Sequence, residues 1–209
     1  HYPLRRQRQM CIRDSASTAS KLFKIPLEEV SKTQRSQAKT VNFGIVYGQG
    51  AFALAEQTGL SRTEAKQMID AYYENYPKLK EWMAEQVHKA RQLGYVETIL
   101  GRKRHLKDIN SNNFVVKGHA ERNAVNAPIQ GSAADIIKIA MINIQKKLEE
   151  ENLETKMLLQ VHDELVFESP ENEVETASKL IKTEMESAFE TQVPLLVEVG
   201  VGKNWLEAH

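Results

Sequence analysis

Two apolar runs on either side of three titratable residues constrain this chain more than any other feature. Met157 to Val161 (MLLQV) and Leu165 to Phe167 (LVF) flank His162, Asp163 and Glu164. Short apolar runs rich in valine, leucine and phenylalanine around a polar break read as strand, tight turn, strand. The chain must therefore accommodate an antiparallel pair. The turn lifts two adjacent carboxylates to the hairpin tip. Burying unpaired carboxylates is costly, so the pair is either a solvated acidic turn or a place for a hard cation. The hairpin alone leaves both readings open.

At 209 residues the chain allows one large domain or two small ones. Apolar residues make up 41% and charged residues 27%, enough for a packed core and too little charge bias for disorder. Formal net charge is zero, so contact with nucleic acid must come from local clusters. Cys11 is the only cysteine, which excludes an internal disulfide and a cysteine-rich zinc site and fits a reducing cytoplasm. No apolar run reaches the roughly 18 residues of a membrane span. No secretory signal is evident.

Residues His1 to Ser15 read unlike the rest. Arg5, Arg6, Arg8 and Arg13 crowd a segment without apolar period, read here as a non-native tail, with a basic arm as the alternative. Ala16 to Phe23 reads as a short helix broken before Pro26. The next helix, about Gln34 to Tyr47, can be capped by Ser31 or Thr33. Within it Arg35, Lys39, Phe43 and Tyr47 recur every four residues. They form one slowly drifting stripe, roughly 18 Å long. Ala38, Val41 and Ile45 fall on the opposite side, so the stripe faces outward. Two cations near a helix N-terminus oppose the helix dipole, and a local rule broken on an exposed face marks function. The cations suit a polyphosphate, and the aromatics can stack on a base or sugar. A plain charged face is the competing reading.

Further helices are expected over Ala51 to Thr58, Ser61 to Tyr76 behind a Ser61–Glu64 capping box, and Pro77 to Leu93. Tyr95 to Leu106 reads as a small hairpin whose Arg102, Lys103, Arg104 and neighbouring Lys107 either track a phosphate backbone or form a solvated turn. Phe114 to Ala127 reads as a helix that Pro128 ends or kinks. Arg122, Asn126 and Gln130 follow at four-residue spacing; their donors suit minor-groove acceptors shared by all base pairs. A long amphipathic helix from Ser132 to Glu151, another over Glu171 to Glu190, and a last strand from Val193 to Val199 complete the pattern.

Taken together these motifs resemble family A DNA polymerases. Arg35-x-x-x-Lys39-x-x-x-Phe43-Gly44-x-x-Tyr47-Gly48 is similar to that family's nucleotide-binding fingers helix. Arg122-x-x-x-Asn126-x-x-x-Gln130 is similar to its primer-template contacts, and Val161-His162-Asp163-Glu164 to a palm motif with a catalytic aspartate. The resemblance runs from about Ala16 to His209. It implies an α+β fold: a helical fingers subdomain over residues 16–94 and a partial palm with a small antiparallel sheet and returning helices over 95–209.

The resemblance also implies roles. Asp163 and Glu164 would sit at a magnesium site of two ions. Arg35 and Lys39 would hold the incoming deoxynucleoside triphosphate, with Lys39 counted as catalytic. Phe43 would stack on the sugar, disfavouring dideoxynucleotides, and Tyr47 would lie by the templating position. His162, Arg122, Asn126 and Gln130 would steady the primer end and minor groove. The implied partners are primer-template DNA and deoxynucleotides, with no membrane and a monomeric parent. Another palm motif of the family, Asp-Tyr-Ser-Gln-Ile-Glu, has no counterpart here, and the family's spacing would put it upstream of His1. The expectation is therefore a piece of a longer polymerase, inactive alone. A non-catalytic nucleotide- or DNA-binding module is the alternative.

Overall fold

The computed structural model describes residues 16–208 apart from 21, 22, 24 and 162. The expected tail, residues 1–15, lies outside the described residues. By internal contacts the described chain forms two compact units that divide between Gly131 and Ser132. The architecture is mostly helical with two small antiparallel sheets.

In the first unit, residues 16–20 are helical and a 3-10 turn spans Leu27–Glu29. Helix α1 spans Lys32–Val46. It starts where a reciprocal cap forms. Ser31 Oγ accepts the Gln34 amide at 3.2 Å, and Gln34 Oε1 accepts the Ser31 amide at 2.9 Å. Helices α2 (Ala51–Thr58) and α3 (Arg62–Asn75) follow. The Ser61–Glu64 cap forms as expected, the Glu64 carboxylate accepting the Ser61 amide at 2.9 Å. Val41 and Ile45 of α1, Leu54 and Ala55 of α2, and Ala65, Met68 and Tyr72 of α3 share one core. Each large aliphatic side chain fully buried there contributes about 1.5–3 kcal/mol. Because α1 is anchored by its apolar face, its opposite face is held in solvent.

Helix α4 (Pro77–Leu93) opens on proline and closes on Gly94 at φ +76. Strands β1 (Tyr95–Glu97) and β2 (Lys103–His105) pair antiparallel, with Val96 opposite Arg104. Val96, Leu106 and Ile109 pack with Ala90 of α4 and with Ala120 and Ala124 of the next helix.

That helix, α5, runs unbroken over Phe114–Glu150 with Pro128 inside it. Of the expected end or kink at Pro128, the end is corrected, as is the separate helix from Ser132. Proline removes one amide donor and crowds the preceding turn. Here tertiary packing on both sides overrides that cost: Ala120 and Ala124 before it, and Ala140, Ile144 and Leu148 after it, all enter cores.

In the second unit, β3 (Lys156–Val161) and β4 (Glu164–Glu168) pair antiparallel from Lys156↔Glu168 to Val161↔Glu164, with an irregularity between Met157 and Leu159. Met157, Leu165 and Phe167 pack on Ile144, Leu148, Ala177 and Ile181, the last two from α6 (Val174–Glu186). A last turn, α7, spans Trp205–Ala208. The expected strand over Val193 to Val199 is absent. Among the described residues the β3–β4 sheet has no third strand, and the Val197 amide instead donates to Glu186 Oε1 at 3.0 Å. A strand needs a neighbour for its backbone groups, and none is offered here.

Candidate functional site

The outward face of α1 carries the predicted stripe. Arg35 is half-buried and Lys39 exposed. Phe43 is 54% exposed and Tyr47 36%. The two rings stack with centroids 6.4 Å apart and planes 20° from parallel. Among the described residues neither Arg35 nor Lys39 forms an ion pair. Two cations without an ion pair among the described residues and a stacked aromatic pair thus occupy one face, an arrangement whose charges suit a phosphate and whose rings can stack on a base or sugar.

The helix ends beside α5. Gly48 adopts φ +71. Its amide donates to the Ile45 carbonyl and the Gln49 amide to the Gly44 carbonyl, both at 2.8 Å, which closes the helix in a Schellman motif. A Cβ on Gly48 would stand 3.3 Å from Arg122 Cγ, so glycine satisfies both the left-handed backbone and the close approach. Asn126 Nδ2 donates to the Tyr47 carbonyl at 3.3 Å. Arg122 and Asn126 thereby abut the aromatic end of the stripe, while Gln130 lies exposed further along α5. The sequence had shown the Arg122–Asn126–Gln130 spacing and the Gly48 stop but not their meeting.

Part of the basic hairpin is engaged within the protein. Arg102 Nη2 donates to the Gly131 carbonyl at 3.1 Å. Lys103 Nζ lies 4.4 Å from the Tyr95 ring centroid and 3.9 Å from Glu97. Arg104 and Lys107 are exposed.

In the second unit Asp163 is exposed in the turn of the β3–β4 hairpin, and Glu164, half-buried, opens β4. Leu165 and Phe167 face the core, so Glu164 and Val166 point to the other face by strand alternation. His162 lies outside the described residues. The carboxylates are the hard oxygen donors that magnesium takes. Among the described residues no three His, Cys, Asp or Glu groups stand close enough to hold a metal. No described helix is long and apolar enough to cross a membrane.

Residues 15–207 match DNA polymerase family A, and the chain belongs to that family. DNA polymerase I of Caldicellulosiruptor bescii is 50% identical over 192 residues, 92% of this chain and 23% of that protein. DNA polymerase I of Streptococcus pneumoniae is 51% identical over 193 residues, 92% of this chain and 22% of that protein. The chain thus spans less than a quarter of the length of these curated relatives. Among solved structures it is similar to the POL domain of Pol1 from M. smegmatis, described as a complex with DNA primer-template and dNTP. The TM-score is 0.88 at 41% identity, covering 93% of this chain and 34% of that one.

Proposed function

We propose that this chain forms the nucleotide-facing part of a template-directed DNA polymerase. Residues 16–94 act as fingers and residues 95–209 as a partial palm. The observation that carries this reading is the α1 stripe: Arg35 and Lys39 unpaired among the described residues, Phe43 and Tyr47 stacked, and Arg122 and Asn126 at its end. The relatives' names support the same substrate class.

In this reading Arg35 and Lys39 hold the triphosphate of a deoxynucleotide, and Lys39 neutralises charge that develops on it. Phe43 packs on the sugar and Tyr47 borders the templating base. Arg122, Asn126, Gln130 and His162 contact primer-template DNA. Asp163 and Glu164 contribute oxygen ligands to a Mg2+ site; among the described residues no third His, Cys, Asp or Glu stands with them. The parent polymerase acts as a monomer in the cytoplasm.

The 209-residue chain alone is proposed to bind without extending a primer, because its hairpin offers one pair of carboxylates from one segment. A gel assay with primer-template, deoxynucleotides and Mg2+ tests this. No extension above background is expected, alongside measurable nucleotide binding. Robust extension would overturn the partial-site argument.

A further inference from the structure

The Asp163–Glu164 turn sits at the far end of a two-stranded hairpin, about 20 Å from its open end at 3.3 Å per residue. Such a hairpin is marginal by itself. Apolar packing of Met157, Leu165 and Phe167 holds one of its faces, but dispersion contacts are non-directional. A swing of a few degrees at the open end would move the tip by more than an ångström, a displacement that matters for reacting groups.

The open end is tied by one carboxylate. Glu173 Oε1 accepts the Glu154 amide at 3.0 Å. Glu173 Oε2 accepts the Thr155 amide at 3.0 Å and the Thr155 hydroxyl at 2.8 Å. Thr155 Oγ1 also lies 2.8 Å from Ser169 Oγ. Thr155 immediately precedes β3 and Ser169 immediately follows β4, so the network spans both strands. Glu173 is itself fixed as the N-cap residue of α6. Its amide donates to the Pro170 carbonyl at 2.9 Å, and its carbonyl accepts the Ala177 amide at 2.8 Å. Thr155 is only 4% exposed, so its own two bonds to Glu173 form where water competes less than at the exposed Glu154 amide. The Glu154 amide first, then Thr155, hold the Glu173 carboxyl below its ordinary range, keeping it acceptor-only at neutral pH.

We propose that Glu173 is a positioning residue that aims the Asp163–Glu164 turn by clamping the open end of its hairpin to α6. The inference rests on the reading of those two carboxylates given above. The test is amide exchange and backbone relaxation on the full chain, comparing wild type with Glu173→Gln and Glu173→Asp. A glutamine turns an NH2 group toward the Thr155 donors. Exchange across residues 156–168 should then quicken about tenfold or more, and order parameters at Asp163 and Glu164 should fall toward about 0.6. Helices α1 and α3 should keep wild-type rates. Aspartate retains the charge with shorter reach and should recover part of the loss. Unchanged order at the tip overturns the clamp, as does equal loosening of both units. Triphosphate titration of the same proteins keeps the questions apart. The clamp leaves that affinity untouched, so weak binding in wild type as well tells against the proposed function while exchange still decides the clamp.

Discussion

Asn126 of α5 donates its side-chain amide to the carbonyl of Tyr47, 3.3 Å away, at the point where α1 ends. The last carbonyls of a helix lack partners within it, and Asn126 supplies one. The residue that borders the proposed templating position is thus held by a residue of the proposed DNA-contact row. Asn126→Ala should destabilise the first unit by about 1 kcal/mol. A urea titration followed by circular dichroism reads it; an unchanged midpoint would mean the bond contributes nothing.

Gly48 should tolerate no side chain. A left-handed backbone costs a non-glycine residue roughly 1–2 kcal/mol, and the added methyl would also crowd Arg122 at 3.3 Å. Gly48→Ala should lower thermal stability and weaken triphosphate binding together. Gly50 is the control: a Cβ there meets nothing within 4 Å and its φ is −84, so Gly50→Ala should leave both near wild type. Equal losses in the two variants would remove the close approach as the cause.

If Phe43 packs on the sugar as proposed, its ring leaves no hydroxyl there. Within the matching segment of a whole DNA polymerase I, Phe43→Tyr should raise dideoxynucleotide incorporation markedly. A competition assay between deoxy- and dideoxynucleotide reads the ratio. An unaltered ratio would show that the ring does not face the sugar.

The Glu173 clamp has a pH signature. Its folded carboxyl lies below the ordinary 4.5, so its stabilising contribution is complete above that value. It is lost as pH falls through the lowered folded value. Glu64, Glu150 and Glu175 are shifted the same way by Ser61, Lys147 and Lys179, and therefore share the acid window. The difference between wild type and Glu173→Gln isolates the clamp. Thermal melts from pH 7 to pH 3 should show a stability gap that narrows on acidification. A gap constant with pH would assign the loss to packing instead of charge.

The sequence made local features readable and concealed those that depend on distant partners. The α1 stripe was legible because a 3.6-residue period separates Arg35, Lys39, Phe43 and Tyr47 from Ala38, Val41 and Ile45, with a cap at Ser31. The hairpin was legible because two short apolar runs flank a polar turn. Pro128 misled because its local cost is overridden by packing of Ala124 and Ile144 to either side. Val193 to Val199 misled because strand-like composition without a neighbour makes no strand. The links Asn126–Tyr47 and Glu173–Thr155 join residues 79 and 18 positions apart, separations at which no periodicity speaks.

The α1 face is proposed to bind a triphosphate independently of the Asp163 turn. A titration of deoxynucleotide at low and high salt against wild type, Lys39→Ala and Asp163→Ala tests this. Charge contacts at an exposed face are screened by salt, so wild-type binding should weaken as salt rises. Lys39→Ala should reduce affinity about tenfold or more, by analogy with single charged hydrogen bonds of about 1.5–3 kcal/mol. Asp163→Ala should bind as wild type or slightly better, because it removes a negative charge. Equal affinity in wild type and Lys39→Ala, or a loss confined to Asp163→Ala, would show that the α1 face does not hold the triphosphate.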